Sequence, residues 1–169
     1  SNSLRSSDDH FTSRQGSAWK NAVEEAHQYF KKAYNILASK EEMSEEEKII
    51  FIDILNSWGY AYYYLGENNE FVDLFRSHQI LVESMDDKAR AGMFYVWFGV
   101  ALFMAGRSKD SYEYLSKGLE FGENAGHQKV VGYACTWLTW ACAELGLFDE
   151  GINFGERAQK IAESFPSDQ

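Results

Sequence analysis

Proline is almost absent from this chain: the single one is Pro166, close to the C-terminus. Proline breaks helix interiors because it lacks the backbone N–H and its ring clashes with the preceding turn, so its absence leaves the whole chain open to helix. Cysteine is nearly as scarce. Cys135 and Cys142 stand seven apart in the numbering (142 − 135), which on one helix is about 10 Å along the axis. A disulfide needs Cα atoms within about 7 Å, so an intrachain bond is excluded on a helix. Both read as small buried apolar residues of a reducing compartment. Positive charge is also in deficit: 16 Lys and Arg face 26 Asp and Glu, a formal net charge of −10. That balance repels nucleic-acid phosphates and anionic lipid, so neither a nucleic-acid nor a membrane-surface partner is expected. The chain also lacks a long apolar run. The longest uncharged stretch, Ala91–Gly106, is shorter than the roughly 20 residues that cross a bilayer. It reads instead as a helix enclosed by other helices. With no visible signal peptide, a cytoplasmic protein is expected.

Clustered metal ligands and nucleophile constellations are missing too. His10, His27, His78 and His127 are scattered over the chain, whereas metal sites need ligands at helical or loop spacing. No Gly-Lys-Ser/Thr follows a strand, so there is no phosphate loop. Asp110 and Glu113 pair by helical spacing, which an exposed face explains. The expectation is a protein without cofactor, without metal and without catalytic residues.

What is present is repetition. Three turns match, at Leu65-Gly66, Ala105-Gly106 and Leu145-Gly146, and their glycines are separated by 106 − 66 = 40 and 146 − 106 = 40 residues. Before each turn come a large apolar and a small residue, Trp58-Gly59, Phe98-Gly99 and Leu138-Thr139, and then Tyr62, Leu102 or Cys142. After each turn Phe75, Leu115 and Gly155 share one offset. One helix–turn–helix per period is the pattern of an α-solenoid. Tyr95–Gly122 is its best-formed unit.

Residues 1–16 are polar and aperiodic and read as linker or disordered tail; the opening Ser1-Asn2-Ser3 resembles what an expression tag leaves behind, which would make the chain a segment of a longer protein. A helical repeat domain is expected over 17–164, with 165–169 as a short tail. Ser17–Leu37 has one apolar face, Trp19, Val23, Ala26, Phe30, Ala33, Tyr34 and Leu37, and reads as the second helix of a unit whose first is missing. Ser44 and Glu47 form a capping box that opens a helix to about Leu65. Glu70–Met85 follows as its partner. Asp86-Asp87 starts the next helix, about Lys88–Ala105, and Ser108 caps another over about Lys109–Phe121. Gly122–Gly126 reads as a loop before helices at about His127–Leu145 and Asp149–Ser164. Seven helices result, all-α, alternating between an inner and an outer layer.

These residues resemble tetratricopeptide repeats. The third unit carries the resemblance best, with Tyr95, Phe98-Gly99, Leu102, Ser111, Leu115 and Gly118. The fourth carries it with Cys135, Leu138-Thr139, Cys142, Gly151, Gly155 and Ala158, and the second in its first helix only, with Leu55, Trp58-Gly59 and Tyr62. Phe71 and His78 depart from the pattern, where small residues belong. The period of 40 exceeds the family's usual 34 and is similar to a longer-repeat branch found in helical scaffolds and in arms of bacterial signalling ATPases and nucleotide cyclases. The resemblance implies a right-handed α-solenoid of stacked antiparallel helix pairs that binds protein.

In such a solenoid the first helices line a concave groove. The positions facing it are Asn56, Tyr60, Tyr63 and Tyr64; Met93, Val96, Val100, Phe103 and Met104; and Tyr133, Thr136, Trp140 and Glu144. The opposite sides of these helices already supply a core of Trp58, Tyr62, Phe98, Leu102 and Leu138. Two readings follow: an aromatic groove that receives a peptide or amphipathic helix, or burial of these residues by tight curvature. Lysines and arginines such as Arg76, Arg107, Lys109 and Lys117 lie on outer helices, so no clamp for a C-terminal carboxylate is expected. The expected function is a non-catalytic interaction or scaffold module. The alternatives are a regulatory segment of a larger multidomain signalling protein, of ATPase or nucleotide-cyclase type, and a homodimer formed through open end helices.

Overall fold

A computed structural model describes the backbone of residues 3–165 and the side chains of residues 18–165. Eight helices are found among the described residues and no strand: α1 (Ser3–Ala38), α2 (Glu45–Leu65), α3 (Asn68–Arg76), α4 (Gln79–Glu83), α5 (Lys88–Met104), α6 (Ser108–Asn124), α7 (Gln128–Leu145) and α8 (Phe148–Ser164). The chain is therefore all-helical, with its helices packed on one another. Neighbours in sequence pack as α1 on α2, α5 on α6, α6 on α7 and α7 on α8, and α5 also meets α2, α3 and α7.

Helix ends follow the local chemistry. Ser44 accepts from the Glu47 amide and the Glu47 carboxylate accepts from the Ser44 amide, closing the expected capping box. Asp87 accepts from the Arg90 amide at 3.0 Å and starts α5. The three turn glycines have the same left-handed backbone, with φ 74° at Gly66, 75° at Gly106 and 74° at Gly146. Glycine adopts this conformation without the Cβ penalty that other residues incur. The turns that recur every 40 residues thus share one backbone geometry, and Gly126, between α6 and α7, is left-handed as well, with φ 63°.

Four expectations about element boundaries change. Helix α1 begins at Ser3, so residues 3–16, expected as a linker, have helical backbone. Once Ser17–Leu37 has nucleated, extending it outward costs little, and no proline lies between Ser3 and Gly16. Helix α6 runs through Gly122 to Asn124, because Gly122 is buried where a Cβ would lie 2.9 Å from Val130 Cγ1. Its N-cap is Arg107, with no side-chain hydrogen bond, and Ser108 is already helical. The expected helix Glu70–Met85 breaks into α3 and α4, which raises the number of helices from the expected seven to eight. The Leu74 carbonyl, which an unbroken helix would offer to the His78 amide, accepts instead from the Ser77 hydroxyl at 2.9 Å and from the His78 ring Nδ1–H at 2.8 Å. The side chains compete with the backbone for that acceptor.

Helix α5 is the centre of the core. Ala91, Gly92 and every residue from Phe94 to Leu102 are buried, as expected of a helix that is apolar all round. Close approach makes this possible. At Gly99 an added Cβ would lie 2.5 Å from Leu115 Cγ on α6, and at Gly118 2.9 Å from Val96 Cγ2 on α5. Ser111 on α6 donates its hydroxyl to the Gly99 carbonyl at 2.8 Å. Small residues remove bulk where α5 and α6 cross, so Leu115, Val96 and Phe98 interdigitate. Trp58, Tyr62, Phe98, Leu102 and Leu138 are buried, as expected. Cys135 and Cys142 are buried free thiols on α7.

Helix α1 docks mainly on α2 through rings. The Trp58 Nε1–H donates to His27 Nδ1 at 3.1 Å, and His27 meets Tyr62 edge-on. Tyr34 stacks on Phe51 at 5.4 Å and faces His78, its hydroxyl 3.4 Å from Nε2. The two histidines therefore hold opposite neutral tautomers: His27 carries its proton on Nε2 and His78 on Nδ1.

Candidate functional site

Between α2, α5, α7 and α8 the side chains leave an open cavity of about 930 Å³. Helix α2 supplies Tyr63, α5 supplies Phe103 and Met104, and α7 supplies Lys129, Gly132, Tyr133, Thr136, Trp137 and Trp140. The opposite wall is Ala158, Ile161 and Ala162 of α8 with Phe165, the extended residue just beyond its end. Spacings of three and four along α7 and α8 put each set on one helix face. Trp137 stands edge-on to both neighbours, 5.6 Å from Tyr63 at 77° and 5.8 Å from Phe103 at 60° between ring planes. The rings form a corrugated floor. Trp140 is 58 % exposed at the mouth. Thr136 donates its hydroxyl to the Gly132 carbonyl at 2.9 Å, inside its own helix. Among the described residues Lys129 is the one charged residue of the lining.

A second cavity of about 290 Å³ lies between α1 and α2, lined by Trp19, Ala22, Val23, Ala26, Phe30, Ser57, Tyr60, Ala61 and Tyr64. The Tyr60 and Tyr64 rings lie 5.5 Å apart, and the neighbouring Tyr64 hydroxyl raises the Tyr60 pKa. The two cavities are joined by rings, since Tyr63 of the larger one meets Tyr64 of the smaller at 5.0 Å.

The expected groove residues divide accordingly. Tyr63, Phe103, Met104, Tyr133, Thr136 and Trp140 come together around the larger cavity. Tyr60 and Tyr64 line the smaller one. Val96 and Val100 do not face a groove: they are 1 % and 0 % exposed, because α5 has neighbours on every side. Met93 is half-buried against the core and lines neither cavity. Asn56 ties helices together, donating Nδ2–H to the Arg90 carbonyl at 3.2 Å. Its Oδ1 is buried without a protein partner. Glu144 is exposed and outside both linings.

The sequence reading missed Trp137, Lys129 and the whole α8 wall. The signal for α8 was legible: Ala158, Ile161 and Ala162 recur at helical spacing on one face. Trp137 escaped because it lies beside Leu138, a core position, and the two point in different directions on the helix.

The largest pKa displacements belong to the scaffold. Tyr62 is pushed up to about 12 by burial and by the Glu70 and Glu67 carboxylates. Tyr112 is pushed up to about 12, chiefly by its hydrogen bond to the Glu150 carboxylate. Among the described residues no three His, Cys, Asp or Glu side chains converge as metal ligands. No helix among them is long and apolar enough to cross a membrane.

The fold and the cavity define a class, an all-helical protein with repeated left-handed glycine turns and an open aromatic cavity. No protein-family model matches the chain, and no curated protein matches it.

Proposed function

We propose that this chain is a cytoplasmic, non-catalytic interaction module, a right-handed solenoid of the tetratricopeptide type, that seats a peptide segment of another protein in the larger cavity. The observation that carries this reading is the open apolar cavity itself, about 930 Å³ with Trp140 58 % exposed at its mouth. A contiguous apolar surface of this kind is costly to leave in water and marks interaction sites. The side of α7 facing away from it is filled by Ala134, Leu138 and Ala141, so the fold does not need Trp140 for its core. The repeat at Gly66, Gly106 and Gly146 supports the solenoid assignment.

A displayed peptide library selected on the wild-type protein and on Trp140→Ala tests the reading. The wild type enriches peptides with apolar anchors, and the variant loses them while keeping its melting temperature. Absence of enrichment, or enrichment that Trp140→Ala leaves intact, refutes it.

A second reading, a self-associating or regulatory segment of a larger signalling protein, draws on α1. Its Tyr29 and Ile36 lie on one face and are 61 % and 66 % exposed, away from α2. Light scattering across a concentration series decides it: a constant monomer mass in wild type and Ile36→Glu alike removes the self-association.

A further inference from the structure

We infer that the occupant of the larger cavity is an α-helix of a partner protein, lying on α7 and α8 as α7 itself lies on α5 and α6; this rests on the reading of the cavity as a peptide site. The α5–α6 and α7–α8 pairs are built alike, 40 residues apart. Both first helices open on a side-chain cap, Asp87 accepting from the Arg90 amide and His127 from the Val130 amide. Both pairs turn on a left-handed glycine, Gly106 or Gly146. Both cross at a glycine: a Cβ at Gly92 would lie 3.1 Å from Phe121 Cβ, and one at Gly132 3.1 Å from Ile161 Cγ2. The offsets are 132 − 92 = 40 and 161 − 121 = 40.

The first pair carries a third helix, α7, which packs on both α5 and α6. Val130 makes the close approach. A Cβ at Gly92 would lie 3.0 Å from Val130 Cγ1, and one at Gly122 2.9 Å from the same atom. Forty residues on stand Gly132 and Ala162, and both line the larger cavity. Around Gly132 only Ile161 comes within 4 Å of an added Cβ, and Ala162 is exposed where Gly122 is buried. The first helices differ in the same sense. Val96 and Val100 are buried, whereas Thr136 and Trp140, forty residues on, are exposed in the cavity lining. The seat that holds α7 on one pair therefore recurs on the next, and among the described residues no helix lies on it.

The helix already seated shows the chemistry that fits. Helix α7 carries a buried stripe of Val130, Val131, Ala134, Leu138 and Ala141, small or branched residues at helical spacing. Gly132, Ala158 and Ala162 remove bulk from the second seat, so a helix with such a stripe can approach it closely. A second copy of this chain does not supply that helix. Among the described residues α5 and α7 carry such stripes, and both bury them in their own chain.

Calorimetric titration with a blocked peptide of His127–Leu145, carrying Cys135→Ala and Cys142→Ala, tests this, because that peptide is the helix the first seat holds. It binds the wild-type protein. The same peptide with Thr139→Pro keeps the stripe, breaks the helix and binds at least about tenfold more weakly. In the protein, Ala162→Phe places bulk where the helices would cross, at an exposed position the core does not use. It weakens the helical peptide by about tenfold or more and leaves the melting temperature unchanged. Trp140→Ala weakens both peptides. If the Thr139→Pro peptide binds as tightly as its parent, or Ala162→Phe leaves the affinity unchanged, the helix inference fails, and the Trp140→Ala effect keeps the cavity as a peptide site. If neither peptide binds, the helix inference fails, and the displayed library decides separately whether the cavity takes a peptide. A dimer mass in light scattering that Ala162→Phe abolishes would make the occupant a second copy and overturn the partner helix.

Discussion

Two helix glycines in this protein respond to the same substitution with opposite sign. At Gly99 an alanine Cβ would sit 2.5 Å from Leu115 Cγ, 2.7 Å from its Cδ2 and 3.1 Å from its backbone nitrogen. Leu115 is fully buried, so its side chain cannot swing into water, and the backbone contact forces α5 and α6 apart. Overpacking of this kind costs up to about 3 kcal/mol. Replacing a mid-helix glycine with alanine returns about 1 kcal/mol of helix propensity. Gly99→Ala is therefore destabilising by about 2 kcal/mol, a fall of roughly 4–8 °C in melting temperature for a chain of this size. At Gly155 the nearest atoms to an added Cβ are Thr139 Cγ2 and Oγ1, both at 3.6 Å, an ordinary contact. Only the propensity gain remains there, so Gly155→Ala raises the melting temperature by roughly 2–4 °C. Thermal melts followed by far-ultraviolet circular dichroism measure both. A Gly99→Ala protein as stable as wild type would show that α5 and α6 do not approach as described. Destabilisation by Gly155→Ala would refute the close-contact argument for that pair.

The docking of α1 yields two further predictions. Trp58→Phe retains an aromatic ring and removes the N–H that His27 Nδ1 accepts at 3.1 Å; the buried imidazole loses its partner, and stability falls by about 1–3 kcal/mol, measured by urea unfolding. His78 is half-buried, and desolvation lowers its pKa below the ordinary 6.5 against a smaller opposing effect of the Leu74 carbonyl. As pH falls through 6.5 the unfolded chain takes up a proton that the folded one refuses, so stability drops from there down to the lowered folded value and is unaffected above it. Melting temperatures at pH 7 and pH 5 should diverge less for His78→Asn than for wild type, and equal slopes would remove His78 from the pH response.

The division between sequence and tertiary structure follows the range of the interactions involved. Local rules settled the helical content, the capping box at Ser44 and Glu47, the left-handed turns at Gly66, Gly106 and Gly146 and the small residues at the α5–α6 crossing, because each depends on neighbours within a few turns or on a repeated pattern. The aromatic character of the site was legible for the same reason: Tyr63, Phe103, Tyr133 and Trp140 lie opposite an identifiable core face. Where the open space falls was not. Val96 and Val100 have the same character and the same helix as Phe103, yet α2, α3, α6 and α7 close over them, whereas Phe103 and Met104 lie at the end of α5 where that cover stops. Likewise α8, an outer helix in a two-layer reading, turns its Ala158, Ile161 and Ala162 face into the cavity. By itself the sequence determined which residues are apolar and which helix face they share. Only the packing of distant helices decided which of those faces is filled and which remains open, because burial depends on contacts that no local spacing encodes.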